Sequence, residues 1–121
     1  MRKLFTIILF SFLAQMAVGQ DALFAAISKS DVAKLSEKFS NDVEICIGTE
    51  QDFYSKSGAV KRLERFFTKV QPSKSSFKHK GNNKDKTSEY SVGSMSSKEG
   101  EYRVFIYYEG DRVTGLMFNK E

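Results

Sequence analysis

The 121-residue chain holds one cysteine, one proline and one histidine, and each scarcity narrows what the protein can be. With Cys46 alone, no disulfide can close within the chain, so packing has to hold the fold together. Cys46 lies in the apolar run from Val43 to Ile47 and reads as a small buried hydrophobe. One His and one Cys are too few for a zinc site, which draws three or four ligands mostly from those two residue types. No nucleophile-elbow glycine pattern surrounds any serine. No metal or other cofactor is expected. Long apolar runs are also missing. Leu4 to Leu13 is the longest, and it falls short of the ~20 residues a membrane span needs.

That short run has a different meaning in its setting. Arg2 and Lys3 precede it, and Ala17-Val18-Gly19 supplies small residues at the positions of a cleavage site, which is the layout of a secretory signal peptide. Residues 1–20 are therefore set apart as a signal peptide, with residues 21–121 as a single domain in the periplasm or outside the cell. No stable membrane span is expected after cleavage. The signal segment carries two of the 19 basic residues and none of the 15 acidic ones, leaving a mature charge of 17 − 15 = +2. That modest excess removes the compositional support for nucleic-acid binding. Eleven Phe and five Tyr supply the apolar mass for a core without disulfides.

The strongest pattern lies between Tyr54 and Val70. Ala59, Leu63, Phe66, Phe67 and Val70 recur at steps of three and four, on one side of a helix, with Lys61, Arg62, Arg65 and Lys69 opposite. Ser55 stands where an N-cap is needed, and Pro72 follows the end. Two shorter helical segments precede it, Asp21–Lys29 and a second one capped at Ser30-Asp31 with Val32, Leu35 and Phe39 on one side. One kinked helix is the alternative reading of this pair. Ser40-Asn41-Asp42 reads as a polar stop, Val43–Ile47 as a strand and Gly48–Asp52 as a loop.

After Pro72 the period changes to two. Ser75–Gly81 places Phe77 and His79 on one face. Asn82–Lys86 reads as a turn, followed by a strand over Thr87–Ser96. Glu101–Glu109 carries Tyr102, Val104, Ile106 and Tyr108 on one face and Arg103, Phe105 and Tyr107 on the other, and Arg112–Asn119 is a last strand. Connections this short require antiparallel pairing. The expected fold class is α+β, with N-terminal helices packed on a curved antiparallel sheet. Two strands are apolar on both faces, yet the helices can cover only one. The second face implies a homodimer, or a ligand or partner surface, unless the sheet curls enough to cover itself.

Chemistry-bearing residues are few. His79 is read either as a general base or polar anchor inside the fold or as a hydrogen-bonded histidine beside the core. Tyr54, Tyr90 and Tyr107 could serve as hydroxyl donors next to it. Asp42, Glu44, Glu50 and Asp52 look solvated. Lys74, Lys78, Lys80, Lys84 and Lys86 fit a solvated strand edge protected from edge-to-edge pairing. No residue set amounts to a catalytic signature.

Several short segments, in their order, carry a resemblance. These are Ala26-Ile27 with Asp31 to Phe39, Tyr54-Ser55-Lys56, Arg65-Phe66-Phe67, His79-Lys80-Gly81 and Tyr102-Arg103-Val104. The chain resembles a family of small secreted proteins from Gram-negative bacteria that carries only a domain-of-unknown-function label. The resemblance implies the nuclear-transport-factor-2-like (cystatin-like) cone fold and export, and brings no activity. The reading adopted is a non-enzymatic binding or association module. The alternative is a cone pocket for a small apolar ligand, with isomerase- or dehydratase-type acid–base chemistry around His79.

Overall fold

The computed structural model describes residues 19–82 and 89–121. Residues 1–18, most of the segment expected to be a signal peptide, and most of the turn expected around Lys84 and Lys86 lie outside the described residues. The elements run α1 (Gly19–Ser28), α2 (Val32–Ser36), β1 (Phe39–Ile47), β2 (Glu50–Ser55), α3 (Lys56–Val70), β3 (Pro72–Asn82), β4 (Glu89–Ser97), β5 (Gly100–Glu109) and β6 (Arg112–Lys120).

Helix α3 forms where its pattern places it. The Ser55 hydroxyl accepts the Gly58 N–H at 3.2 Å, satisfying one of the free donors of the first turn. Ala59, Leu63, Phe66, Phe67 and Val70 are all buried. The helix closes at Gln71, which takes a left-handed conformation and donates its N–H to the Phe67 carbonyl at 2.8 Å. Pro72, with no N–H to offer, then starts β3. The N-terminal helices are two and not one, because Ser30 adopts a positive φ of 56° between them. Asp31 caps the second by accepting the Lys34 N–H at 3.1 Å.

The helices lie on one face of a six-stranded sheet in the order β2-β1-β6-β5-β4-β3. The hairpin-linked strands are antiparallel as their short connections require. One pairing departs from the expected antiparallel pattern: β1 lies parallel to β6. These two strands stand at opposite ends of the domain's sequence, so no short connection dictates their direction. On the covered face the core is aromatic and tightly interlocked. The Phe66 ring lies 4.9 Å from Phe118 and packs edge-on against Tyr102 at 5.6 Å. Phe67 meets Phe118 edge-on at 5.9 Å. Tyr108, from β5, shares a buried hydrogen bond of 3.0 Å with the Ser91 hydroxyl. Every core residue among those described lies between Leu23 and Phe118.

Gly93 on β4 marks where α1 crosses the sheet. A side chain there would overlap the Phe24 ring and the Ser76 carbonyl oxygen, so only glycine lets the helix sit this close.

Three sequence expectations are corrected. The segment read as a loop after Gly48 turns tightly at Gly48 (φ 64°) and returns as β2. Its side chains are almost all exposed, so it carries no apolar alternation to be recognised by. The second helix stops at Ser36; Phe39 is buried instead at the start of β1, which continues through Ser40-Asn41-Asp42 with an irregular register against β6. Cys46 is half-buried and not a core residue, because strand alternation sets it opposite to Ile45. Its thiol donates to the Gly48 carbonyl at 3.6 Å.

Candidate functional site

The face of the sheet turned away from the helices holds the site, and strand alternation builds it. On β5, Phe105 and Tyr107 stand two residues apart and so share this face, with rings nearly parallel (16°) at 6.3 Å. Tyr90 on β4 is the cross-strand partner of Tyr107. Its ring lies 6.0 Å from Tyr107 and 6.4 Å from Phe105, within the range where aromatic pairs attract. Val92 pairs with Phe105 on the same face and extends the apolar surface.

His79 joins this group through an irregularity that periodicity does not reveal. Phe77 pairs with Gly93, but His79 pairs with Val92, so Lys78 is an extra residue in the ladder. Such a bulge inverts the alternation beyond it. Phe77 therefore turns to the core, where its ring packs 6.1 Å from Phe24, while His79 emerges exposed on the other face. This corrects the expectation that Phe77 and His79 share a face. It also removes the premise of a general base inside the cone: the concave side is occupied by Phe24, Leu63, Met95, Phe118 and their neighbours, all buried.

On the outer face, a groove of about 410 Å³ is lined by His79, Lys78, Arg103, Tyr90, Val92 and Phe105, with Glu121 at its margin. The Arg103 guanidinium stands 3.8 Å from the Glu121 carboxylate, both well exposed, so this pair adds little. On the other side of Tyr107 a second groove, of about 310 Å³, includes Glu44, Glu109, Thr114 and Phe53. Phe53 is 71% exposed, unusual for a phenylalanine. Gln51 donates to the Glu44 carboxylate and holds it beside this groove. Burial, and secondarily Tyr90 and Glu44, push the Tyr107 phenol above its ordinary pKa, so it stays a neutral hydroxyl.

Of the four sequence candidates, His79, Tyr90 and Tyr107 thus converge on one face. Tyr54 does not. It pairs with Val43 on the helix side and packs partly buried against the core. Phe105, Arg103 and Phe53 went unrecognised as site residues, although the two-sided apolar pattern of Glu101–Glu109 already held the signal for Phe105. Chemically the face offers an aromatic shelf with cations at one end and carboxylates at the other. No group of three or more His, Cys, Asp or Glu is placed to hold a metal ion among the described residues. Lys74, Lys78 and Lys80 are exposed on β3, the edge strand.

Residues 20–114 match the family model described as "Domain of unknown function (DUF4783)". No curated protein sequence matches. Among solved structures, the chain is similar to a DUF4783 family protein from Bacteroides ovatus, with 18% identity over 83% of this chain and 93% of that one and a TM-score of 0.75. A second, from Bacteroides uniformis, has 15% identity over 84% and 95% and a TM-score of 0.74. An NTF-2 like protein of unknown function from Burkholderia xenovorans shares 10% identity over 89% and 85%, with a TM-score of 0.63. At these identities the solved structures establish the fold, which is nuclear-transport-factor-2-like. No helix among the described residues is long and apolar enough to cross a membrane.

Proposed function

The chain belongs to the DUF4783 family of unknown function, and from that premise we propose that it is a non-enzymatic association module, exported by its first 20 residues, that pairs with a second copy through the outer sheet face. The observation that carries this reading is the aromatic shelf of Tyr90, Phe105 and Tyr107, three rings within 6.4 Å of one another that stay half-buried on the face opposite the helices. The part of this aromatic surface still open to water is surface that association can bury.

Size and charge favour a second copy. Six strands spaced at about 4.8 Å and on average roughly 30 Å long present roughly 700 Å² of face, close to the ~800 Å² per partner of a stable interface. The charges are self-complementary: Lys78 and Arg103 lie at one end, with Glu121 offsetting part of the Arg103 charge, and Glu44 and Glu109 at the other. A two-fold axis lying between two such faces, at right angles to the line from the basic to the acidic end, sets each copy's basic end on the other's acidic end. Such rim pairs steer and orient association more than they strengthen it.

Sedimentation velocity of residues 21–121, at micromolar concentration, tests the reading. The expected result is a dimer, converted to a folded monomer by Tyr107→Glu, which places a carboxylate in the middle of the shelf. A wild-type protein that sediments only as a monomer would refute it.

A further inference from the structure

A different surface sets cations beside an apolar floor. Between α3 and the turn joining β1 to β2 runs a groove of about 410 Å³, within the size range of small-molecule sites. Its floor is apolar, made by Ile47, Phe66, Val70 and the ring of Tyr102, the last three almost wholly buried. Its wall is cationic: Arg62, Arg65 and Lys69 line it from α3.

These three cations stand three and four residues apart on one ridge of the helix, where like charges repel and cost helix stability. A glutamate among them would have stabilised the same turns. One carboxylate answers them, Glu50, which accepts a hydrogen bond from the Arg62 guanidinium at 2.9 Å. That contact uses one of five N–H donors and fixes Arg62, whose side chain is 16% exposed, as part of the wall. No carboxylate lies within 4.0 Å of Arg65 or Lys69 among the described residues. The groove's lining thus has a net charge of +2 above an apolar floor.

We propose that this groove binds a small amphipathic anion, a carboxylate or phosphate head carried on a short apolar body. The head lies against Arg62, Arg65 and Lys69, where guanidinium forks make paired, charge-assisted hydrogen bonds. The apolar body lies over Phe66, Val70 and Tyr102. The site is on the helix side of the sheet, away from the aromatic shelf, so it does not depend on self-association.

Two-dimensional amide NMR of residues 21–121 tests the proposal with four probes below their aggregation limits: octanoate, octyl phosphate, octanol and inorganic phosphate. Octanoate or octyl phosphate should shift the amides of Ile47–Glu50 and Tyr102 saturably, and the tighter of the two identifies the head group. Octanol and inorganic phosphate should each bind at least about tenfold more weakly, since each lacks half of the recognition. Charge reversal at two exposed positions, Arg65→Glu with Lys69→Glu, should weaken octyl phosphate by at least the same factor. Tyr107→Glu should leave it unchanged, which separates this site from the association face. The proposal is overturned if neither amphipathic anion shifts these amides, if inorganic phosphate or octanol binds equally well, or if the double variant binds undiminished.

Discussion

Replacing Gly93 with alanine adds one methyl group at the point where α1 is seated on β4. The added carbon would meet two obstacles, the Phe24 ring and the Ser76 carbonyl oxygen. A ring can rotate away at a modest cost. The Ser76 carbonyl belongs to the adjacent strand β3 and cannot move without disturbing the ladder. Overpacking in a tight core costs about 1–3 kcal/mol, and the rigid obstacle places Gly93→Ala in the upper half of that range. For a domain of about 100 residues each kcal/mol lowers the melting midpoint by roughly 4–8 °C, so a fall of ~8–24 °C is expected. Thermal unfolding followed by circular dichroism at neutral pH measures it. A double-mutant cycle with Phe24→Ala divides the two obstacles. In that background Gly93→Ala should cost less but still destabilise, because the carbonyl oxygen remains. A Gly93→Ala protein within about 0.5 kcal/mol of wild type, the range of ordinary surface changes, would refute the close seating of α1 and with it this account of the covered face.

Two further outcomes follow from the core. Leu63 is fully buried beneath α3, so Leu63→Ala should cost about 2–5 kcal/mol, read from urea unfolding as a lowered midpoint at unchanged slope. Burial holds the Tyr108 phenol above its ordinary value of 10.0, with Glu89 adding to the rise and the Ser91 hydrogen bond working against it. The folded state therefore keeps this proton more tightly than the unfolded chain. Stability is unaffected below pH 10 and falls as the pH climbs beyond it, and Tyr108→Phe should reduce that alkaline loss in melting curves taken from pH 8 to 11, the remainder coming from Tyr102 and Tyr107, whose phenols burial raises as well.

Legibility varied along the chain with the amount of apolar surface each segment buries. Helix α3 could be read almost to the residue, since five buried positions, an N-cap serine and a following proline all agree. Both faces of β5 were legible for the same reason, and with them Tyr107 as a site candidate. Strand β2 was not, because it pairs through its backbone at a sheet edge and hides almost nothing. His79 was assigned the wrong face because a bulge at Lys78 is a property of two strands in register. No periodicity in one strand can show it.

The order of side chains along the chain settled the existence of the main helix, the alternation of β5 and the α+β class, because these follow from local geometry and from which residues avoid water. Three things waited on the assembled molecule: the parallel joining of β1 to β6, the gathering of His79, Tyr90 and Tyr107 with Phe105 on one face, and the meeting of Arg62, Arg65 and Lys69 with the turn at Gly48. Each brings together residues distant in sequence. Such contacts depend on how strands register and how helices dock, and no single stretch of chain contains that information.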